Sequence, residues 1–153
     1  MKLNTMLRTS MLLVLIAGVD ARADEGKACS NETLKGSYGG AFSGTRPAPF
    51  VAPGGPGYAG QIEKGMLWVF DGKGKYTQVI IGRGSISGWA GDQAASGSYT
   101  VMPDCTGSIV PALPPGAPPT LVRMVIVDGG SEFRTIVVSP QTTNLTGHHR
   151  KVN

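Results

Sequence analysis

Turn signals cut this chain into short pieces. Asp71-Gly72-Lys73-Gly74, Pro103-Asp104-Cys105-Thr106-Gly107, Asp128-Gly129-Gly130 and Pro140-Gln141 are four such breaks. Asp-Gly favours the positive φ that a tight hairpin requires. Between the breaks run segments rich in Val, Ile, Thr and aromatic residues. They are Lys64–Phe70, Lys75–Gly82, Ala95–Met102, Ser108–Leu113, Leu121–Val127, Ser131–Ser139 and Thr143–Lys151, with Leu34–Phe42 ahead of them. That pattern predicts eight strands. Residues 83–93 read as irregular and Gly-rich. After the N-terminal segment, no stretch has helical periodicity, so crossovers to a parallel sheet are not expected. An antiparallel meander of this kind removes its edges most simply by closing. The expected fold is all-β: an eight-stranded antiparallel up-and-down barrel, with a two-sheet β-sandwich as the alternative. Composition agrees. There are 23 Gly and 11 Pro among 153 residues, about a fifth of the chain, against roughly 12% in ordinary domains. At 41% hydrophobic, the chain is too apolar for intrinsic disorder.

The N-terminus reads as an address. Lys2 and Arg8 precede an apolar run, Met11–Val19, and Ala21-Arg22-Ala23 places small residues at the −3 and −1 positions of a cleavage site. This is the secretory signal pattern, and the run is too short for a transmembrane helix. Residues 1–23 are therefore expected to be removed, leaving 24–153 as one exported domain, periplasmic or extracellular. The mature chain would carry 11 basic and 9 acidic residues, net +2. That is too little for a nucleic-acid footprint. No membrane span is expected in it. Cys29 and Cys105 are an even pair in an oxidising compartment and read as a disulfide. Two free thiols are the alternative, although neither Cys has a neighbouring His and no Cys-x-x-Cys exists.

Two Pro/Gly-rich loops interrupt the strands, at 46–60 and 114–119. In Lys64–Phe70, Met66, Trp68 and Phe70 share one face while Leu67 and Val69 share the other. Both faces are apolar, so a loop or a second subunit is expected to cover the outer one; the latter would make a homo-oligomer. An eight-stranded barrel has an interior either filled by side chains or able to hold one small ligand. Trp68, Tyr76, Trp89 and Tyr99 are core residues or the walls of a pocket at one mouth. Arg123 and Arg134 fall as neighbours across the Asp128-Gly129-Gly130 turn, with Glu132 nearby. They form either a solvated pair on the outer face or an internal anchor for an acidic ligand.

Signals for chemistry are weak. His148 and His149 are adjacent in the last strand, so they face opposite ways and make a poor metal pair. They read as surface imidazoles. No nucleophile elbow is present. Asp71, Asp104 and Asp128 sit in turns, where a turn role explains them. No catalytic residue, metal or cofactor is expected.

Three stretches carry a resemblance: ACSNETLKGSYG at 28–39, GSYTVMPDCTGSIV at 97–110 and VIVDGGSEFRTIVVSPQTTNLTGHHRK at 125–151. They resemble a family of small exported, largely uncharacterised bacterial β-proteins with a central Pro-Asp-Cys-Thr-Gly turn. The resemblance implies export, a Cys29–Cys105 bridge and a calycin-like barrel similar to those of lipocalins, avidin and allene oxide cyclase. It brings no established activity, and His148 and His149 depart from its usual ending. The functional expectation is a binding or interaction module for a small apolar or amphipathic ligand or a protein partner. A cyclase- or isomerase-like barrel enzyme using Glu132 or Arg123 is one alternative. A surface protein that binds nothing small is another.

Overall fold

Asp71 closes the clearest hairpin. Its carboxylate accepts hydrogen bonds from the Lys73 N–H at 2.7 Å and the Lys75 N–H at 2.9 Å. Gly72 and Gly74 take the positive φ values, 79° and 104°, that the turn needs. A computed structural model describes residues 28–46, 60–85 and 88–152, with backbone only at 88–91. The proposed signal peptide and nearly all of the 46–60 loop lie outside those residues.

Eight strands follow one another around a closed barrel, each hydrogen-bonded to its sequence neighbours. They are β1 (Gly36–Arg46), β2 (Gly60–Phe70), β3 (Lys75–Gly84), β4 (Gly88–Val101), β5 (Thr106–Pro111), β6 (Leu121–Val127), β7 (Glu132–Ser139) and β8 (Asn144–Val152). β1 pairs antiparallel with β8, from Ser37↔Val152 to Thr45↔Asn144, and this closure excludes the sandwich.

Several boundaries differ from the sequence reading, with β2 starting at Gly60 and β5 running Thr106–Pro111. Leu34 belongs to a 3-10 turn, Asn31–Leu34, and β1 runs on to Arg46. Most of residues 83–93, expected to be irregular, is strand. Small residues have little intrinsic preference for a strand, but pairing with β3 overrides that, with a register shift between Ile81 and Arg83. Asp128–Gly130 is a 3-10 turn.

The two ends of the barrel differ. At the lower end, inward side chains from every part of the circuit pack on each other. Phe70 meets Tyr99 edge-on at 4.8 Å, Tyr38 meets Phe133 at 5.3 Å, and His149 stacks on Phe133 at 4.6 Å. The segment before β1 seals this end with the fully buried Leu34. Asn31 Oδ1 accepts from the Val101 N–H at 2.8 Å, and the Tyr99 hydroxyl donates to the Asn31 carbonyl at 3.0 Å. Cys29 is bridged to Cys105 in the β4–β5 turn, with Cα atoms 4.9 Å apart. That turn is itself held by Asp104, whose carboxylate accepts from the Thr106 N–H and hydroxyl.

Candidate functional site

The upper half of the barrel is different. Strand parity turns Lys64, Met66, Trp68 and Phe70 inward on β2, and Tyr76, Gln78, Ile80, Gly82 and Gly84 inward on β3. Trp68 and Phe70, low in the barrel, are buried. Met66, Lys64 and Ile80, higher up, face inward yet stay only half-buried, as does Ala95 at the level of Gln78. Beyond them, toward the upper end, Ile62, Gly82, Gly84 and Leu145 are buried again, so the half-buried inward positions form a band in mid-barrel. Short inward residues, Gly82 and Gly84, line the β3 side there.

The floor of this space is polar as well as aromatic. Trp68 and Gln78 are direct cross-strand partners. Both are buried, and the Trp68 Nε1 donor and the Gln78 Oε1 acceptor have no hydrogen-bond partner. The Tyr76 hydroxyl and His149 Nδ1 are buried and unpartnered too. Buried polar atoms without partners are rare, because each forfeits its hydration. Burial raises the Tyr76 pKa. His149 is fully buried, and desolvation, then the His148 charge, lowers its pKa to about 4.

Two cations stand above this floor. Arg46 and Lys64 share the inward faces of β1 and β2, with Phe42 directly opposite Lys64. Burial and the Arg46 charge push the Lys64 pKa down to about 7, and burial lowers that of Arg46.

Of the residues singled out in the sequence, Trp68, Tyr76 and Tyr99 lie together in the buried floor. Trp68 packs on Tyr76 at 5.0 Å. Trp89 lies on β4 with its side chain outside the described part. Arg123, Arg134 and Glu132 are on the outer face, so the solvated reading describes them and they form no internal anchor. Glu132 is only 7% exposed, but its cover is polar. His148 Nε2 donates to it at 2.8 Å, Arg134 Nε at 3.1 Å, and Arg150 stands at 3.4 Å. The His148 hydrogen bond leads the effects that lower the Glu132 pKa. His148 is a surface imidazole as expected, but His149 is not; its ring completes the core.

No protein-family model matches the chain, and no curated protein matches it.

Sequence reasoning missed Lys64, Arg46, Gln78 and His149 as interior groups. For Lys64 the signal was present, since it shares the spacing of Met66, Trp68 and Phe70. The outer face of β2 and β3 carries a shallow groove of about 380 Å³, lined by Leu67, Val69, Val79 and Ala94 among others. Leu67 is 43% and Val69 44% exposed, so the cover expected over this face is not made by the chain's described residues.

Proposed function

We propose that this is an exported binding barrel that takes one small amphipathic molecule into its upper interior. The observation that carries this reading is the Trp68–Gln78 pair. A buried donor and a buried acceptor on paired residues, both unpartnered, stand next to inward side chains, Lys64, Met66 and Ile80, that are only half-buried. A ligand whose polar group met both would satisfy them, while Met66, Ile80 and Phe42 surround its apolar part. Pockets of this composition, mostly apolar with a few placed polar groups, are typical of small-molecule sites. The Cys29–Cys105 bridge supports export, since disulfides persist in oxidising compartments. The resemblance to small exported β-proteins points the same way.

Binding is favoured over catalysis because Glu132 and Arg123, the acid–base groups that the enzyme alternative relied on, face outward. The apolar groove on β2 and β3 supports a second reading, a module that docks a protein partner on that face.

Native mass spectrometry of the protein, purified gently from the exporting cell, tests the first reading. A reproducible extra mass that is lost on denaturation is the expected result. A bare protein mass that persists after incubation with that cell's small-molecule extract would overturn it. The denatured mass also reports cleavage after Ala23 and the loss of two hydrogens at the bridge.

A further inference from the structure

Resting on the binding reading above, we infer that the interior opens sideways, through the seam between β4 and β5, and that its guest is an uncharged molecule with a hydroxyl or amide head held by Trp68 and Gln78. The exposure of the inward side chains traces the path. Above the floor, Ile62, Leu145 and the β3 glycines Gly82 and Gly84 are buried. The opposite wall, Val122, Met124, Thr135 and Val137, is buried as well. The half-buried positions include Met66 on β2, Ile80 on β3, Gln93, Ala95 and Gly97 on β4, and Pro111 at the end of β5. They run across paired strands, Met66↔Ile80, Ile80↔Gln93 and Gly97↔Pro111, and end at the seam.

The sequence explains why the seam stays open there. Among the described residues, β4 pairs with β5 only from Gly97 to Val101, followed by one bond from the Ala112 N–H to the Ser96 carbonyl at 2.8 Å. The chain then enters 112–120, where Pro114, Pro115, Pro118 and Pro119 have no N–H to give. The Ala117 N–H turns back to the Pro114 carbonyl at 3.1 Å. The stretch therefore arches past the upper half of β4 instead of extending the ladder. The Ser139 hydroxyl fastens its far end at the Pro119 carbonyl, 2.9 Å away.

Inside the seam lie the atoms that choose the guest. Ala95 is the direct partner of Gln78, and Gln78 of Trp68. The short Ala95 side chain leaves Gln78 one strand from the edge and Trp68 two, roughly 10 Å at the usual strand spacing. Gln78 Oε1 calls for a donor and Trp68 Nε1 for an acceptor. One hydroxyl or primary amide supplies both. A carboxylate only accepts, so it would leave Gln78 unmet; an ammonium only donates, so it would leave Trp68 unmet. Either ion would also lose its hydration on entering. Arg46, Lys64 and Gln93 each already interact within the fold, and the inference asks nothing of them.

The test is isothermal titration calorimetry with 1-hexanol, hexanoate and hexylammonium at neutral pH. The alcohol should bind roughly tenfold more tightly than either ion, the worth of one buried hydrogen bond. Gln78→Met and Trp68→Phe should each erase that preference. Ala95→Phe, which fills the band beside the seam, should slow hexanol association in stopped-flow tryptophan fluorescence; should it fail to fold, Ala95→Val reads the same slowing to a smaller degree. Equal binding of the three probes by the wild type would overturn the neutral-head site. An unchanged association rate in the Ala95 variants would overturn the lateral entrance. Binding of none of the probes would overturn the inference as a whole, while an extra mass in the native spectrum would still uphold the binding reading on which it rests.

Discussion

Mild acid should destabilise this barrel before its carboxylates titrate, and one side chain is responsible. His149 is fully buried, stacked on Phe133 and near Phe42 and Trp68, with its ring neutral. In the unfolded chain an imidazole takes up its proton near pH 6.5, whereas in the folded barrel burial holds that event down to about 4. The unfolded state therefore binds more protons as the pH drops. The stability that His149 allows is complete above pH 6.5 and is lost progressively from there to 4. At 1.36 kcal/mol for each tenfold shift, the loss between pH 7.5 and pH 4 comes to about 3 kcal/mol. That is a large part of the roughly 5–15 kcal/mol that holds a domain of this size. Urea unfolding at half-unit steps of pH should show the midpoint falling over this range at constant slope. In His149→Phe, which keeps the stack on Phe133 and removes the titration, the same series should be nearly flat down to pH 5. Glu132 contributes in the same direction, but only at lower pH, because its carboxyl is held below the ordinary range. An acid limb equally steep in wild type and His149→Phe would refute the assignment.

Two further perturbations follow from the packing. Gly40→Ala would press a methyl into the His148 carbonyl and the His149 backbone across the β1–β8 seam, and should cost about 1–3 kcal/mol. Gly65→Ala, on the outer face with its nearest neighbour, the Ile81 carbonyl oxygen, 3.8 Å away, should gain about 0.5–1 kcal/mol. Thermal melts should move in opposite directions for the pair. Replacing Cys29 and Cys105 together by Ala opens a loop spanning 76 residues of sequence and should cost about 4 kcal/mol by the chain-entropy account. Comparison of denaturant midpoints with the oxidised protein checks this.

The barrel was legible because its evidence is local. The turn at 71–74 needs only Asp-Gly chemistry, and β6, β7 and β8 are set apart by the turn residues at 128–130 and 140–141. Parity correctly separated His148 from His149 and put Arg123 on the same face as Val125. Parity does not say which of two faces is the inner one, and that is why His149 was taken for a surface residue. β1 hid its inward face for a different reason. Gly36, Gly39, Gly40 and Gly44 leave too few side chains to show a pattern, so Arg46 at its end was read as the start of a loop. The N-terminal half of β4 is small and polar enough to pass for irregular chain until β3 is placed beside it. The interior site suffers most from this. It is assembled from Arg46, Lys64, Gln78 and Trp68 on three consecutive strands, and only the register of β1 on β2 and of β2 on β3 sets them on one face.

That register has a consequence for how the chain matures. Seven of the eight strand junctions join neighbours in sequence and can form in succession. The eighth joins β1 to β8, whose partners run from Thr45↔Asn144 to Ser37↔Val152, at opposite ends of the barrel's sequence. Until β8 arrives, β1 presents a bare ladder of amide and carbonyl groups, and Phe42, Trp68 and Phe133 lack the imidazole that packs among them. Sealing the hydrophobic interior and retiring the exposed edge are thus one late event. A chain held before that event would be the form most exposed to pairing with its own copies.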